Sequence, residues 1–195
     1  MDAAEVAVGA AFQFAQFDAH RVQGVRVLRI EFGGLAEVGQ GGRVLALAGE
    51  ELVWIEEPIT ADDYAGHAKI AAASATPIQI GENMWGPTDF AKALAVGACD
   101  YIMLDVMKIG GVTGWMQAAG VAEAHGIPMS SHLMPEVSAH LLAATPTCHW
   151  LEYVDWTDAI AAEPVKIADG CWPVGTQPGT GLHWDAQKVA RCRID

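Results

Sequence analysis

The sequence predicts an α/β fold, a barrel of parallel strands and outer helices that this chain completes only in part. Five apolar runs each end in a polar side chain, and these side chains recur at intervals of 26, 23, 27 and 20 residues: Glu56, Glu82, Asp105, His132 and Glu152. Each interval holds an Ala-rich segment between two turns, which is the repeating βα unit of a parallel sheet. A complete eight-unit barrel usually needs ~250 residues, whereas the chain has 195.

The first fifty residues fit this repeat poorly. Residues 25–30 are rich in Val, Leu and Ile and are predicted to form a strand. Residues 43–51 are predicted to form a short helix. The glycines at 39–42 match neither a dinucleotide-binding fingerprint nor a P-loop, so a plain flexible loop is expected there.

Helix signals become clearer after residue 51. Thr60 and Asp63 resemble a capping box at the start of the first helix, and Gly97 and Gly126 are typical residues at the end of a helix. From residue 163 the frequent Gly and Pro residues predict short strands and one last small helix. The expected helices are 60–74, 87–97, 113–126, 136–144 and 184–191.

Composition excludes several classes of function. The formal net charge is −13 and only 11 residues are Lys or Arg, which argues against nucleic-acid binding. No apolar run reaches the ~18 residues of a membrane span, and the N-terminus does not resemble a secretory signal. The chain is therefore expected to be cytoplasmic. Its four cysteines lack the spacing of a zinc site, so reduced thiols are expected.

Side chains at the carboxyl ends of barrel strands face one mouth, so the recurring polar residues predict a common site. Glu56 and Glu82 are candidate oxygen ligands for Mg²⁺, although each could instead be a surface or capping carboxylate. Asp105 and His132 suggest a dyad in which the carboxylate makes the imidazole more basic; a structural histidine is the alternative. Lys108 could pair with a carboxylate in the mouth or simply be solvated at its rim.

Several stretches together resemble one family, the mandelate racemase subgroup of the enolase superfamily. The resemblance covers about residues 50–195 and is specific. Its motifs are Trp54-Ile-Glu-Glu-Pro58, Gly81-Glu-Asn83, Asp105-x-x-Lys-Ile-Gly-Gly-Val-Thr-Gly-Trp115, Ile127-Pro-Met-Ser-Ser-His-Leu133, Ser138-Ala-His-Leu-Leu-Ala-Ala-Thr-Pro-Thr147 and His149-Trp-Leu-Glu152.

The resemblance implies a (β/α)₇β barrel completed by a separate capping domain. It implies Mg²⁺ as cofactor, held by Glu56 and Glu82, and a small carboxylic acid as substrate, either a 2-hydroxy acid or a sugar acid. The Asp105–His132 dyad would move the proton next to the substrate carboxylate, and Glu152 would hydrogen-bond that carboxylate as it becomes an enediolate. The reaction would be racemisation or dehydration. Lys108 and Asn83 are candidate rim contacts.

The chain departs from the family pattern in its first part. The Lys-x-Lys motif expected after the second barrel strand and the metal-binding Asp expected after the third are missing, and residues 1–50 contain no lysine. Glu31 is a candidate replacement for that Asp. We therefore expect an N-terminally truncated chain that lacks the capping domain. Residues 1–50 would hold a candidate third barrel strand and helix, residues 51–162 strands four to eight, and residues 163–195 a tail that packs on the capping domain.

An alternative function follows from these departures. The chain would then be a catalytically impaired barrel fragment that lacks one base and one metal ligand. Because an incomplete barrel exposes strand edges and apolar surface, we expect a homo-oligomer in either case.

Overall fold

The computed structural model describes residues 25–29, of these the backbone alone, and residues 52–194. The predicted helix at 43–51, the glycine-rich loop at 39–42 and the candidate ligand Glu31 lie outside the described residues. Within them, no helix combines the length and the apolar character that a membrane span requires.

Seven strands form one sheet in the order β2-β3-β4-β5-β6-β1-β7. Neighbouring strands from β2 to β6 are parallel, which confirms the five-strand repeat predicted from the sequence. The strands are β1 Val25–Arg29, β2 Ile55–Glu56, β3 Ile78–Ile80, β4 Tyr101–Asp105, β5 Met129–His132, β6 Cys148–Tyr153 and β7 Cys171–Trp172.

The strand β1 lies between β6 and β7, away from β2. It pairs parallel with β6, where Val27 faces Leu151, and antiparallel with β7, where Val25 faces Trp172. A third barrel strand would instead lie beside β2, so β1 does not take that place. Its place next to the last strand of the repeat is where the first strand of a closed barrel would lie. The tail after residue 163 thus contributes one strand to the sheet.

Within residues 52–194, five helices occupy the connections and the tail: α1 Tyr64–Ala73, α2 Pro87–Ala95, α3 Gly111–His125, α4 Pro135–Ala143 and α5 Ala186–Arg191. They confirm, to within a few residues, the five helices predicted after residue 51. The predicted capping box was wrong, because the N-cap of α1 is Asp63 and not Thr60. The Asp63 carboxylate accepts a hydrogen bond from the Gly66 backbone N–H at 2.8 Å.

The core lies between the sheet and the helices. Phe90 of α2 and Trp115 of α3 are fully buried against strand residues such as Ile78 and Ile102. The Trp115 indole N–H donates to the Thr145 hydroxyl at 3.0 Å, so the largest core side chain also has its polar atom satisfied. This packing fixes the strands whose carboxyl ends carry the candidate site.

Two glycines of α3 provide a matched test of this packing. A Cβ at Gly114 would lie 1.9 Å from the Ile109 backbone oxygen, whereas a Cβ at Gly120 would meet nothing within 4 Å. Gly114→Ala must displace backbone and should lower the free energy of unfolding by about 1–3 kcal/mol. Gly120→Ala should raise it by up to about 1 kcal/mol, because alanine favours the helix. Urea unfolding of both variants is the measurement, and equal effects would contradict the close approach at Gly114.

Candidate active site

The carboxyl ends of β2 to β6 bring together the polar residues that the sequence repeat singled out. Parallel pairing aligns these ends, so that Asp105 of β4 lies directly opposite His132 of β5. Three of these residues, Glu152, Glu82 and Glu56, are close enough for their charges to raise the pKa of His132. We call this group of strand-end residues, Glu56, Glu82, Asp105, His132 and Glu152, the mouth.

Glu56 is a buried carboxylate with 9% of its surface exposed. Its Oε2 atom accepts hydrogen bonds from the Trp54 indole N–H and the Gln79 amide, each at 3.3 Å. Burial, and then the negative charges of Glu82 and Glu152, raise the pKa of Glu56 to about 7 despite these hydrogen bonds. The hydrogen bonds that Glu56 accepts therefore do not offset its burial and the negative charge of its neighbours.

The imidazole of His132 is the basic group within this acidic set. Its Nδ1 atom lies 3.0 Å from Glu152 Oε2 and 3.3 Å from Glu82 Oε2, and its N–H is aligned with neither oxygen. Burial lowers the pKa of His132, but the carboxylates of Glu152, Glu82 and Glu56 outweigh burial and raise it above its ordinary value. The surrounding carboxylates therefore stabilise the protonated form of this ring relative to a free imidazole.

The predicted Asp105–His132 dyad is not formed in this structure. The two residues face each other in the sheet, but the Asp105 Oδ1 atom accepts a hydrogen bond from the Met107 backbone N–H at 2.7 Å. An aspartate readily bonds to the backbone two residues further on, and the His132 Nδ1 atom lies near Glu152 and Glu82 instead. Glu152 and Glu82, not Asp105, contact the ring here.

Asn83 joins three loops of the rim. Its amide nitrogen donates to Glu57 Oε2 at 2.8 Å and to Glu82 Oε1 at 3.0 Å, and its amide oxygen accepts from Lys108 Nζ at 2.8 Å. Of the two alternatives for Lys108, direct pairing with a carboxylate is not seen, because its Nζ atom donates to Asn83, which lies between Lys108 and the carboxylates. Glu57 also accepts from the Gly81 N–H at 3.1 Å, so it holds the loop that carries Glu82.

The segment after His132 has an unusual backbone. Leu133 and Met134 both have positive φ angles, 53° and 47°, and neither is glycine. A left-handed conformation costs an ordinary residue roughly 1–2 kcal/mol, so this turn must be held by its surroundings. The Leu133 N–H donates to Glu152 Oε2 at 2.6 Å.

Sequence reasoning missed three residues that support the carboxylates. Gln79 and Trp54 donate to Glu56, and the Ser131 hydroxyl accepts from the Glu152 backbone N–H at 3.2 Å. A signal existed for Gln79, which is a lone polar residue between two isoleucines of a buried strand. A signal also existed for Trp54, because it lies two residues before Glu56 and so shares its face of the strand.

Glu56 and Glu82 together fit an incomplete Mg²⁺ site. Both supply carboxylate oxygens, and among the described residues Glu56 Oε1 accepts no hydrogen bond. Their repulsion, seen in the raised pKa of Glu56, is the condition that a bound cation relieves. No three His, Cys, Asp or Glu side chains in the described part of the chain group together as a metal site. Two protein ligands remain compatible with Mg²⁺, which usually keeps several waters.

The chain belongs to the family described as Enolase C-terminal domain-like, whose match covers residues 20–188. It is 34% identical over 136 residues to L-talarate/galactarate dehydratase of Salmonella typhimurium, covering 70% of this chain and 34% of that protein. The match and the fold confirm the resemblance to the mandelate racemase type of enolase superfamily protein, and the α/β barrel class predicted with it.

Two crystal structures are more similar in sequence. An enolase from alpha pretobacterium bal199 with bound magnesium is 50% identical, with a TM-score of 0.74, and the match covers 76% of this chain and 41% of that one. An enolase from Bradyrhizobium complexed with magnesium and mandelic acid is also 50% identical, with a TM-score of 0.73 and the same coverage of 76% and 41%. The chain thus spans less than half the length of these relatives.

The charge balance of the mouth predicts how stability depends on pH. The folded pKa of Glu56, about 7, lies above the ordinary value of 4.5, so metal-free folded protein holds this proton more tightly than unfolded protein. Stability should therefore fall as the pH rises from about 5 to 8. Glu56→Gln should match the wild type at pH 5 and exceed it at pH 8 by up to about 3 kcal/mol.

Denaturant unfolding in the presence of a chelator measures this difference. Some decline should remain in Glu56→Gln, because the raised pKa of His132 contributes stability that is also lost as pH rises through it. Glu123→Gln, which makes the same change at an exposed helical position, is the control and should follow the wild type. Identical pH dependence of stability in the wild type and Glu56→Gln would contradict the raised pKa of Glu56.

Proposed function

We propose that the chain is the barrel part of a Mg²⁺-dependent enolase superfamily enzyme that removes the proton next to the carboxylate of a 2-hydroxy acid or sugar acid. The observation that carries the proposal is the position of His132, whose ring contacts Glu82 and Glu152 at the carboxyl ends of the strands. A histidine held there can take up and return a proton. Relatives named as a dehydratase and as a mandelic acid complex give the substrate class.

Each residue of the mouth has a distinct role in this proposal. Glu56 and Glu82 would hold Mg²⁺, which when bound supplies positive charge for the carboxylate of the substrate. His132 would move the proton as the general base, with Glu152 orienting its ring. Asn83 and Lys108 would fix the Glu82 loop at the rim. In the present orientation the His132 ring contacts Glu152. The ring would have to rotate before Asp105 could take the place of Glu152 beside it.

Racemisation needs a proton acceptor on each face of the α-carbon, and the described residues provide His132 on one face. Dehydration or one-sided exchange needs a base on one face alone. We therefore propose exchange or dehydration as the reactions for which the described residues supply the base.

The catalytically impaired fragment remains the second candidate, favoured by the lack of a three-ligand metal group among the described residues. The affinity for Mg²⁺ separates the two. With two carboxylate ligands we expect weak binding, and Glu82→Gln should abolish it, whereas Glu123→Gln should leave it unchanged. Calorimetry on chelator-treated protein is the measurement. A dissociation constant in the low micromolar range or tighter would mean that a third ligand exists outside the described residues.

Proton exchange tests the chemistry itself. NMR in D₂O on each enantiomer of a panel of aryl and sugar acids, with Mg²⁺, should show loss of the α-proton signal of one enantiomer. Because the neutral ring is the base, the rate should rise with pH as the His132 imidazolium loses its proton. His132→Asn should reduce it by roughly 10²–10⁴-fold, the usual contribution of a general base.

His125 supplies the matched control, since it lies at the end of α3, is exposed, and contacts the Val121 carbonyl in its own helix. His125→Asn should exchange like the wild type. Efficient inversion of both enantiomers would overturn the one-base proposal. Exchange of no acid at all, together with absent Mg²⁺ binding, would decide for the impaired fragment.

A further inference from the structure

Two side chains hydrogen-bond the strained turn after His132, and only one of them belongs to the mouth. Glu152 Oε2 accepts from the Leu133 N–H at 2.6 Å. The other side chain is that of Ser138, whose hydroxyl donates to the Leu133 carbonyl oxygen at 3.0 Å. Both polar groups of the Leu133 backbone, which has a φ of 53°, are therefore fixed by side chains from different elements.

Ser138 lies in the first turns of α4 and its side chain is completely buried. Its backbone N–H already donates to the Met134 carbonyl at 2.9 Å as the helix begins. The hydroxyl would usually bond to a carbonyl within its own helix. Here it instead bonds to a residue that precedes the helix, at the point where the backbone is left-handed.

The same turn sets the position of the imidazole. His132 is the last residue of β5, and Leu133 follows it directly, so a rotation of the Leu133 peptide moves the His132 backbone and its ring. One oxygen, Glu152 Oε2, contacts both the Leu133 N–H and His132 Nδ1. A release of the turn would therefore change the contact between the imidazole and Glu152 as well.

We infer that Ser138 is a positioning residue. Its buried hydroxyl holds the left-handed turn at Leu133 and thereby keeps the His132 ring in contact with Glu152. The role of His132 as a base rests on the proposed function, but the geometry that Ser138 maintains does not. Ser138 does not touch the substrate in this arrangement. It acts on the reaction only through the position of His132.

Ser138→Ala, Ser138→Thr and Thr145→Val test the inference. The first removes the hydroxyl and the second retains it. The third removes a different buried hydroxyl just after α4, one that bonds Trp115 and the Leu141 carbonyl and lies away from the turn. NMR of metal-free, isotope-labelled protein would follow the Leu133 amide proton, which should lie far downfield because of its short bond to a carboxylate, and the ring signals of His132.

In Ser138→Ala the Leu133 amide should move upfield and exchange faster with solvent, and the His132 ring signals should shift. In Thr145→Val both should stay as in the wild type even though unfolding becomes easier. Ser138→Thr should restore the wild-type signals. If Ser138→Ala leaves the amide and ring signals unchanged, Ser138 only packs the helix and the inference is wrong; if Ser138→Thr does not fold, the comparison of Ala with Thr145→Val still decides it.

The α-proton exchange assay adds a second readout. A misplacement of a catalytic group by about 1 Å can lower a rate by 10²-fold, so Ser138→Ala should slow exchange by up to about 10²-fold while the affinity for the acid stays the same. Loss of affinity with an unchanged rate would contradict a positioning role. If the wild type exchanges no acid, the proposed function fails, and the NMR signals alone still decide whether Ser138 holds the turn.

Discussion

The repulsion among three buried or half-buried carboxylates is the constraint on which the candidate site depends. Glu56, Glu82 and Glu152 converge where parallel strands end, and burial, together with the charges of Glu82 and Glu152, raises the pKa of Glu56 to about 7. Such a cluster is stable only with positive charge close by. The His132 imidazole can supply that charge when it is protonated, because its Nδ1 atom lies 3.0 Å from Glu152 Oε2 and 3.3 Å from Glu82 Oε2. A cation held by Glu56 and Glu82 would relieve the same repulsion and free the ring to act as a base.

The parallel sheet explains why these groups meet although they are far apart in the chain. Each strand ends in a turn at the same edge, so a polar residue at each strand end faces the same space. Hydrogen bonds to the carboxylates then come from the strands themselves, as with Gln79 and Trp54 on Glu56. The Asn83 bridge to Glu57 and Lys108 adds links between successive loops. The scaffold therefore limits how far the carboxylates can move apart.

Most of the architecture could be predicted because it follows from local pattern. The apolar runs set the five parallel strands, and residues such as Pro87, Gly97 and Gly126 mark helix boundaries close to those observed. The place of β1 beside β6 could not be predicted, since strand pairing between distant segments leaves no mark in either one. The N-cap at Asp63 was missed because Thr60 and Asp63 are both good caps, and only the backbone conformation decides between them.

The site shows the same division between identity and geometry. Which residues lie in the mouth followed from their spacing, but which pairs touch depends on side-chain rotation, as Asp105 and His132 illustrate. They are neighbours in the sheet, yet Asp105 bonds to the Met107 backbone while the ring turns to Glu152 and Glu82. The left-handed backbone at Leu133 and Met134 is likewise invisible in the sequence, since neither is glycine. A strained turn persists where several contacts fix it together, and here those contacts converge on the residue proposed to move the proton. The strained turn and the position of the imidazole are therefore two consequences of one arrangement, in which Glu152 Oε2 accepts from the Leu133 N–H and lies 3.0 Å from His132 Nδ1.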